Sequence, residues 1–270
     1  MKKTNIMLAG EGGQGIQLIS KVFSEACLSI GLEVMYIPTF GVEQRGTPSI
    51  ASITISEKEL RYSEFEKADY LVVLSARAAK AVGKFTSPST EIIFDSSTTS
   101  VSDFDSESTK FSGIPATLTA KEKFGQRSFN ILVLGYLAKL FEIKSEVVWD
   151  LIEKNLGKKL EKGDLRQKNH DAFDFGYALE AEKDNFSKAV FKPKHRSVLY
   201  RGHGKKGEIV PNRCKGCGLC IVKCPVGALS FGSDLGVFTY PVPVVDLEKC
   251  IACGNCRQYC PDGAISFEKE

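Results

Sequence analysis

No run of apolar residues in this 270-residue sequence approaches the ~20 needed to cross a bilayer as a helix. The start is equally poor in secretory signal. Met1-Lys2-Lys3 is followed by a single short apolar run, Ile6 to Ala9, before glycines begin, which is too brief for a cleaved leader. Net charge is scarce as well, with 36 Lys and Arg against 33 Asp and Glu, a formal +3. The one local excess is basic. Nine cations (Lys183, Lys188, Lys192, Lys194, Arg196, Arg201, Lys205, Lys206, Arg213) face only Asp184 and Glu208, and Pro193, Pro211 and a Gly-rich run lie among them. This composition reads as a tether or an arm laid on an acidic partner surface, and no nucleic-acid recognition module surrounds it. The expectation is a cytoplasmic chain with neither a membrane nor a nucleic acid as partner.

Cysteine is where the sequence is rich. Eight of nine cysteines fall in the last fifth, as Cys214-x-x-Cys217-x-x-Cys220-x-x-x-Cys224-Pro225 and Cys250-x-x-Cys253-x-x-Cys256-x-x-x-Cys260-Pro261. This is the bacterial spacing for two [4Fe–4S] clusters, in which the fourth cysteine of each run serves the other cluster. One cluster is therefore expected on Cys214, Cys217, Cys220 and Cys260, and the other on Cys250, Cys253, Cys256 and Cys224. A zinc ribbon leaves the third in-phase cysteine and the Cys-Pro end unexplained. A disulfide framework conflicts with the lack of a leader and implies the wrong redox compartment. The chain is thus expected in a reduced cytoplasm that sees little oxygen. Cys27 is left over, within a helical pattern, as a buried structural thiol.

The two cysteine runs belong to an internal repeat. Residues 213–231 and 249–267 are identical at 10 of 19 positions, including Gly227/Gly263, Ala228/Ala264 and Phe231/Phe267. A pseudo-two-fold, ferredoxin-like α+β domain follows, with small residues (Gly216, Gly218, Ala252, Gly254) letting backbone N–H groups approach the clusters. So little chain cannot build a large core around two cubes, so cluster loading supplies much of the folding energy.

The first 180 residues differ in kind. A strand at residues 4–9 leads through Gly10-Glu11-Gly12-Gly13-Gln14-Gly15 into an amphipathic helix over 16–30, the G-x-G-x-x-G layout that places phosphates at a helix N-terminus. The ribose-binding acid expected at the end of the next strand is missing, because residues 33–37 run into Pro38-Thr39-Phe40. Strand patterns at 50–56, 69–75 and 90–95 alternate with or precede helical ones at 76–83, 128–141, 145–156 and 164–183. With 43% hydrophobic residues, the expectation is a three-layer α/β domain, a Rossmann-like sheet with helices on both faces. Residues 96–113, rich in Ser, Thr and Asp, read as a surface loop. The domain plan is 1–182 for the α/β part, 183–210 for a basic linker and 211–270 for the cluster domain.

The opening glycine turn, followed by Pro38-Thr39-Phe40-Gly41-Val42-Glu43-Gln44-Arg45-Gly46-Thr47-Pro48, resembles the gamma subunit of the 2-oxoacid:ferredoxin oxidoreductases. Asn130-Ile131-Leu132-Val133-Leu134-Gly135 is similar to a later signature of that subunit, and the C-terminal repeat resembles the family's two-cluster delta subunit. The order matches a gamma–delta fusion. The resemblance implies a complex that decarboxylates a 2-oxoacid on thiamine diphosphate and magnesium, forms an acyl-CoA from coenzyme A, and passes electrons to an external ferredoxin or flavodoxin. Thiamine enzymes carry a Gly-Asp-Gly segment; the one Gly-Asp pair here, Gly163-Asp164, continues as Leu165-Arg166. The thiamine site is therefore expected on the alpha and beta subunits, with no catalytic acid, base or nucleophile on this chain.

Two roles stay open for the first domain. Gly10, Gly12, Gly13, Gln14, Gly15 and Arg45 suit the phosphates of coenzyme A, since open amides and a guanidinium bind phosphate; they equally suit packing or a subunit interface. The Phe40–Pro48 wording is nearer that of pyruvate and branched-chain members. The rival readings are an iron–sulfur or nucleotide-binding module of an unrelated oxidoreductase complex, and an assembly protein with structural clusters.

Overall fold

The computed structural model describes residues 3–39, 48–61, 64–125, 128–157, 160–161, 163–183, 197–236 and 240–270. The chain forms two compact units, Met1–Val190 and Phe191–Glu270.

In the first unit β1 (Thr4–Glu11) leads to α1 (Ile16–Ser29), and β2 (Glu33–Thr39) and β3 (Pro48–Ser56) pair antiparallel. Then come β4 (Tyr70–Val73), α2 (Ala76–Val82), β5 (Glu91–Asp95) and β6 (Lys110–Ile114). Helices α3 (Ala116–Thr119), α4 (Phe129–Leu140), α5 (Ser145–Leu156) and α6 (Leu165–Ala178) follow, with a π-helical turn, Ala120–Phe124, after α3. The sheet order is β2-β3-β1-β4-β5-β6, with β1, β4, β5 and β6 parallel and β3 antiparallel to both its neighbours. This is the expected α/β domain, with a mixed rather than a fully parallel sheet.

Alternation along each strand feeds two cores. Ile6 and Leu8 of β1 join α1, α4, α5 and α6 on one face, while Met7 and Ala9 join α2 on the other. Both faces are covered, so the strands read as unbroken apolar runs. Helix α4 is buried on nearly every side, and it crosses α6 where Gly135 meets the Phe173 carbonyl and Gly176 meets the Leu132 carbonyl. A Cβ on Gly135 would fall 2.2 Å from one oxygen and a Cβ on Gly176 1.9 Å from the other, closer than any packing allows. That approach explains why the 130–135 signature ends in glycine.

Residues 96–113 are not a loose loop. Lys110–Ile114 is the edge strand β6, and Ser96, Ser97, Thr99 and Ser108 are buried. The Asp95 carboxylate at the end of β5 accepts the Ser97 N–H (3.0 Å), the Thr117 N–H (3.3 Å) and the Thr98 and Thr117 hydroxyls. Short polar side chains here satisfy backbone groups in a folded turn, a use that composition alone does not separate from solvent exposure.

The second unit contains β7 (Val198–Gly202), β8 (Lys205–Ile209), α7 (Leu219–Val222), β9 (Leu229–Leu235), β10 (Pro241–Val245), α8 (Asn255–Gln258) and β11 (Ile265–Lys269). Residues 198–209, assigned to a basic linker from composition, thus form a hairpin, β7–β8, that pairs with β11 in a three-stranded sheet; residues 184–196 lie outside the described residues. The repeat extends further than sequence identity does. Strand β8 stands before the first cysteine run as β10 stands before the second, and each crosses to the strand after the other run, giving the pairs β8–β11 and β10–β9. Matching hydrogen bonds, Val210 N–H to Ala264 O and Asp246 N–H to Ala228 O, are both 2.8 Å.

Candidate metal centres and the glycine-rich turn

Each cysteine run begins as an irregular loop and ends in a single helical turn, α7 or α8, capped by a left-handed glycine, Gly218 or Gly254. Three cysteines of each loop line one cavity, and the Cys-Pro end of the other run supplies a fourth. One cavity is lined by Cys214, Cys217, Cys220 and Cys260, and a second by Cys250, Cys253, Cys256 and Cys224. Each cavity thus brings together the four cysteines of one crossed quartet.

Backbone amides already point at sulfur. Gly216 N–H donates to Cys214 Sγ and Ala252 N–H to Cys250 Sγ, both at 3.4 Å; Ala228 donates to Cys224 Sγ at 3.3 Å and Ala264 to Cys260 Sγ at 3.2 Å. Such donors lower the energy of added negative charge on a thiolate-bound cluster. Burial pushes the Cys214 thiol up to about 11 and the Cys220 thiol up to about 12, and raises Cys256 in the same way. Free of metal these thiols are protonated at neutral pH, so taking up iron releases protons. Four sulfur donors with amide support, in a largely apolar cavity, fit a [4Fe–4S] cube.

The two cradles are alike in ligands and unlike in surroundings. The Cys214 cradle holds a buried ion pair: Lys215 Nζ lies 3.0 Å from Asp262 Oδ2, with side-chain exposures of 5% and 16%. At the equivalent positions of the Cys250 cradle stand Ile251 and Val226, both exposed, and Cys253 is exposed as well. Sequence reading passed over the pair because Lys215 and Asp262 are distant in the chain and only the crossed ligation brings them together.

In the first unit, β1 extends through Glu11, and Gln14 turns inward with 4% exposure. Its side-chain oxygen accepts the Glu11 N–H (2.7 Å), and its amide donates to the Leu74 carbonyl (2.9 Å) at the end of β4. Glu11 is 2% exposed, with a carboxylate oxygen 3.4 Å from Arg77 of α2. The crevice between β1 and β4, where an open α/β sheet takes a dinucleotide, is thus spanned by Gln14 and carries a carboxylate. In the first turn of α1, Gln17 donates to Ser49 Oγ and accepts from the Tyr36 hydroxyl. Gly15 caps α1 with φ 76°, and a Cβ there would meet Asn130 of the later signature at 2.5 Å. Gly12 is half-buried and Gly13 exposed. The turn is held from inside by side chains, which is what the packing alternative requires. Arg45 lies outside the described residues. Cys27 is fully buried, its thiol pushed up to about 12 by that burial, and it is no nucleophile.

Residues 5–179 match the model of the family described as pyruvate ferredoxin/flavodoxin oxidoreductase, and residues 213–264 match that of the 4Fe-4S dicluster domain. Among curated relatives, the 2-oxoglutarate synthase subunit KorC of Archaeoglobus fulgidus is 29% identical over 194 residues, 72% of this chain and 92% of its own. The pyruvate/ketoisovalerate oxidoreductases common subunit gamma of Pyrococcus furiosus is 30% identical over 161 residues, 56% of this chain and 87% of its own. Among solved structures, the pyruvate oxidoreductase subunit PORC of Thermotoga maritima superposes with a TM-score of 0.54 at 22% identity, covering 68% of this chain and all of that one. The last supports the fold alone.

Proposed function

From the premise that this chain belongs to the pyruvate ferredoxin/flavodoxin oxidoreductase family and carries a two-cluster ferredoxin-like unit, we propose that it is the electron exit of a 2-oxoacid:ferredoxin oxidoreductase complex. In this reading the complex converts a 2-oxoacid and coenzyme A to an acyl-CoA and carbon dioxide, with thiamine diphosphate on alpha- and beta-type subunits, and the electrons leave to ferredoxin or flavodoxin. When bound, the two clusters supply one-electron carriers of low potential. Cys214, Cys217, Cys220 and Cys260 hold one, and Cys250, Cys253, Cys256 and Cys224 the other. The amides of residues 216, 252, 228 and 264 fix those sulfurs and favour the reduced state.

The single observation that carries this reading is the gathering of eight thiols into two crossed quartets on the same chain as the family's α/β domain. A catalytic role for the first unit finds no support in the β1–β4 crevice, which Gln14 spans. The finer reading of the substrate, pyruvate, rests on the 40–48 wording. The relatives compared are named for 2-oxoglutarate and for pyruvate with ketoisovalerate, and the name of the Pyrococcus furiosus protein makes it a subunit common to two oxidoreductases. We therefore place substrate choice on the partner subunits.

Co-purification from the native source tests the class: alpha- and beta-type subunits with thiamine diphosphate should accompany the chain, and their absence overturns the reading. Assaying that complex with a panel of 2-oxoacids, coenzyme A and ferredoxin assigns the substrate. Arg45→Ala in the complex tests the remaining phosphate role. A raised apparent KM for coenzyme A with thiamine-dependent decarboxylation intact is expected if Arg45 holds a phosphate; an unchanged dependence removes it from the site.

A further inference from the structure

The two halves of the second unit repeat their crossed strand pairs and their sulfurs, yet their cluster cavities differ in one charged pair. Lys215, directly after ligand Cys214, is 7% exposed and pairs with Asp262, two residues beyond ligand Cys260, through contacts of 3.0 and 3.2 Å. Both side chains line the Cys214 cavity. Their counterparts, Ile251 and Val226, line the other cavity and are apolar. A buried charge without its partner is strongly unfavourable, so neither member of the pair is neutral in effect when the other is removed.

A cluster gains one electron on reduction, so its potential follows the net charge, hydrogen bonding and solvent exposure around it. The hydrogen bonds to sulfur are matched in the two cradles. Charge and exposure are not. We propose that the Lys215–Asp262 pair tunes the cluster in the Cys214 cradle and not the other one, Asp262 depressing its potential and Lys215 offsetting that depression. This rests on the iron–sulfur reading above. Reduction adds one electron to that cradle, supplied by a low-potential donor and released unchanged in number to the acceptor; Lys215 and Asp262 act by field alone and exchange no proton. Both are positioning residues, since the pair also ties the first ligand loop to the crossed Cys-Pro end.

The test is a redox titration of the isolated complex, with dithionite as reductant and electron paramagnetic resonance as readout, on the native chain, Lys215→Met, Asp262→Asn and the double variant Lys215→Ile/Asp262→Val. Lys215→Met is expected to lower the midpoint of one cluster by at least tenfold in its one-electron equilibrium, about 59 mV, and Asp262→Asn to raise it. The second cluster stays in place. In the double variant, which copies the apolar pair of the other half, the midpoint falls between those of the two single variants. The cluster that moves is the one missing from Cys217→Ser. Equal shifts of both clusters, no shift, or movement of the cluster that Cys217→Ser retains would each overturn the proposal. Loss of iron from both Lys215→Met and the double variant would make the pair structural and overturn it as well. Absence of two clusters from the native chain is a different result, because it removes the iron–sulfur reading itself.

Discussion

Replacing Gln14 by Leu separates the two roles left open for the glycine-rich turn. The substitution keeps a side chain of similar size while removing an acceptor for the Glu11 N–H and a donor to the Leu74 carbonyl, at 2.7 and 2.9 Å in a buried setting. A buried polar group that loses its partner costs about 1–3 kcal/mol. Two such groups, partly offset by the added apolar contact, give a loss of about 3 kcal/mol. Trp149 is the only tryptophan and lies in α5, 8% exposed against His170 and Phe173, so its fluorescence follows the first unit and not the cluster unit. With a urea slope of about 2 kcal/mol/M, the unfolding midpoint of Gln14→Leu in the full chain should fall by about 1.5 M. A midpoint equal to the native one, accompanied by a large rise in the apparent KM for coenzyme A in the complex, would refute the packing argument and return the turn to phosphate binding.

Other expectations follow from the same structure. Cys260→Ser should remove the cluster whose other ligands are Cys214, Cys217 and Cys220, and Cys224→Ser the cluster of Cys250, Cys253 and Cys256; each variant should hold roughly half the iron, and spectra showing loss of the cluster in the same run would contradict the crossing. Gly176→Ala drives a methyl to within 1.9 Å of the Leu132 carbonyl, so α4 and α6 must separate, at a cost of about 1–3 kcal/mol or more; urea unfolding followed at Trp149 measures it. Burial raises the Asp95 carboxyl above its ordinary range, against the opposing hydrogen bonds from Thr117 and Ser97. The folded state then binds this proton more tightly than the unfolded chain does, so the Asp95 contribution is present below the ordinary carboxyl pKa and is lost as pH rises through the folded value. Comparing urea midpoints of native and Asp95→Asn chains from pH 4 upward should show the native chain losing ground relative to the variant; parallel curves would contradict it.

Several features were legible because they are local. Three cysteines two residues apart fix a loop around one centre whatever surrounds it, and a repeat with the same spacing fixes a second. Helices α1, α4, α5 and α6 and strands β1 to β5 fell within a few residues of their sequence patterns: two buried sheet faces impose unbroken apolar runs on the central strands β1, β4 and β5, and the helices keep periodic or wholly apolar surfaces. The missing ribose acid was equally a local fact, and the crevice it would have served is spanned by Gln14.

What the sequence did not carry was pairing between distant segments. Val198–Gly202 and Lys205–Ile209 are rich in charge and glycine and read as a tether, yet β8 is held by β11 and β7 by β8, and a strand's hydrogen bonds come from a neighbour that its own composition does not name. The same holds for residues 96–113, whose start is held by the Asp95 carboxylate and whose end pairs with β5. Gln14 occupies a variable position of a glycine motif, and only the closeness of β4 turns it into a crosslink. Lys215 and Asp262 are separated by most of the second unit, and the crossing of two cysteine runs makes them neighbours. The sequence by itself determined which eight cysteines are candidate ligands and how they are spaced, since spacing along a chain is a local quantity. The tertiary structure alone decided what electrostatic surroundings each set of ligands receives, since charge acts through space.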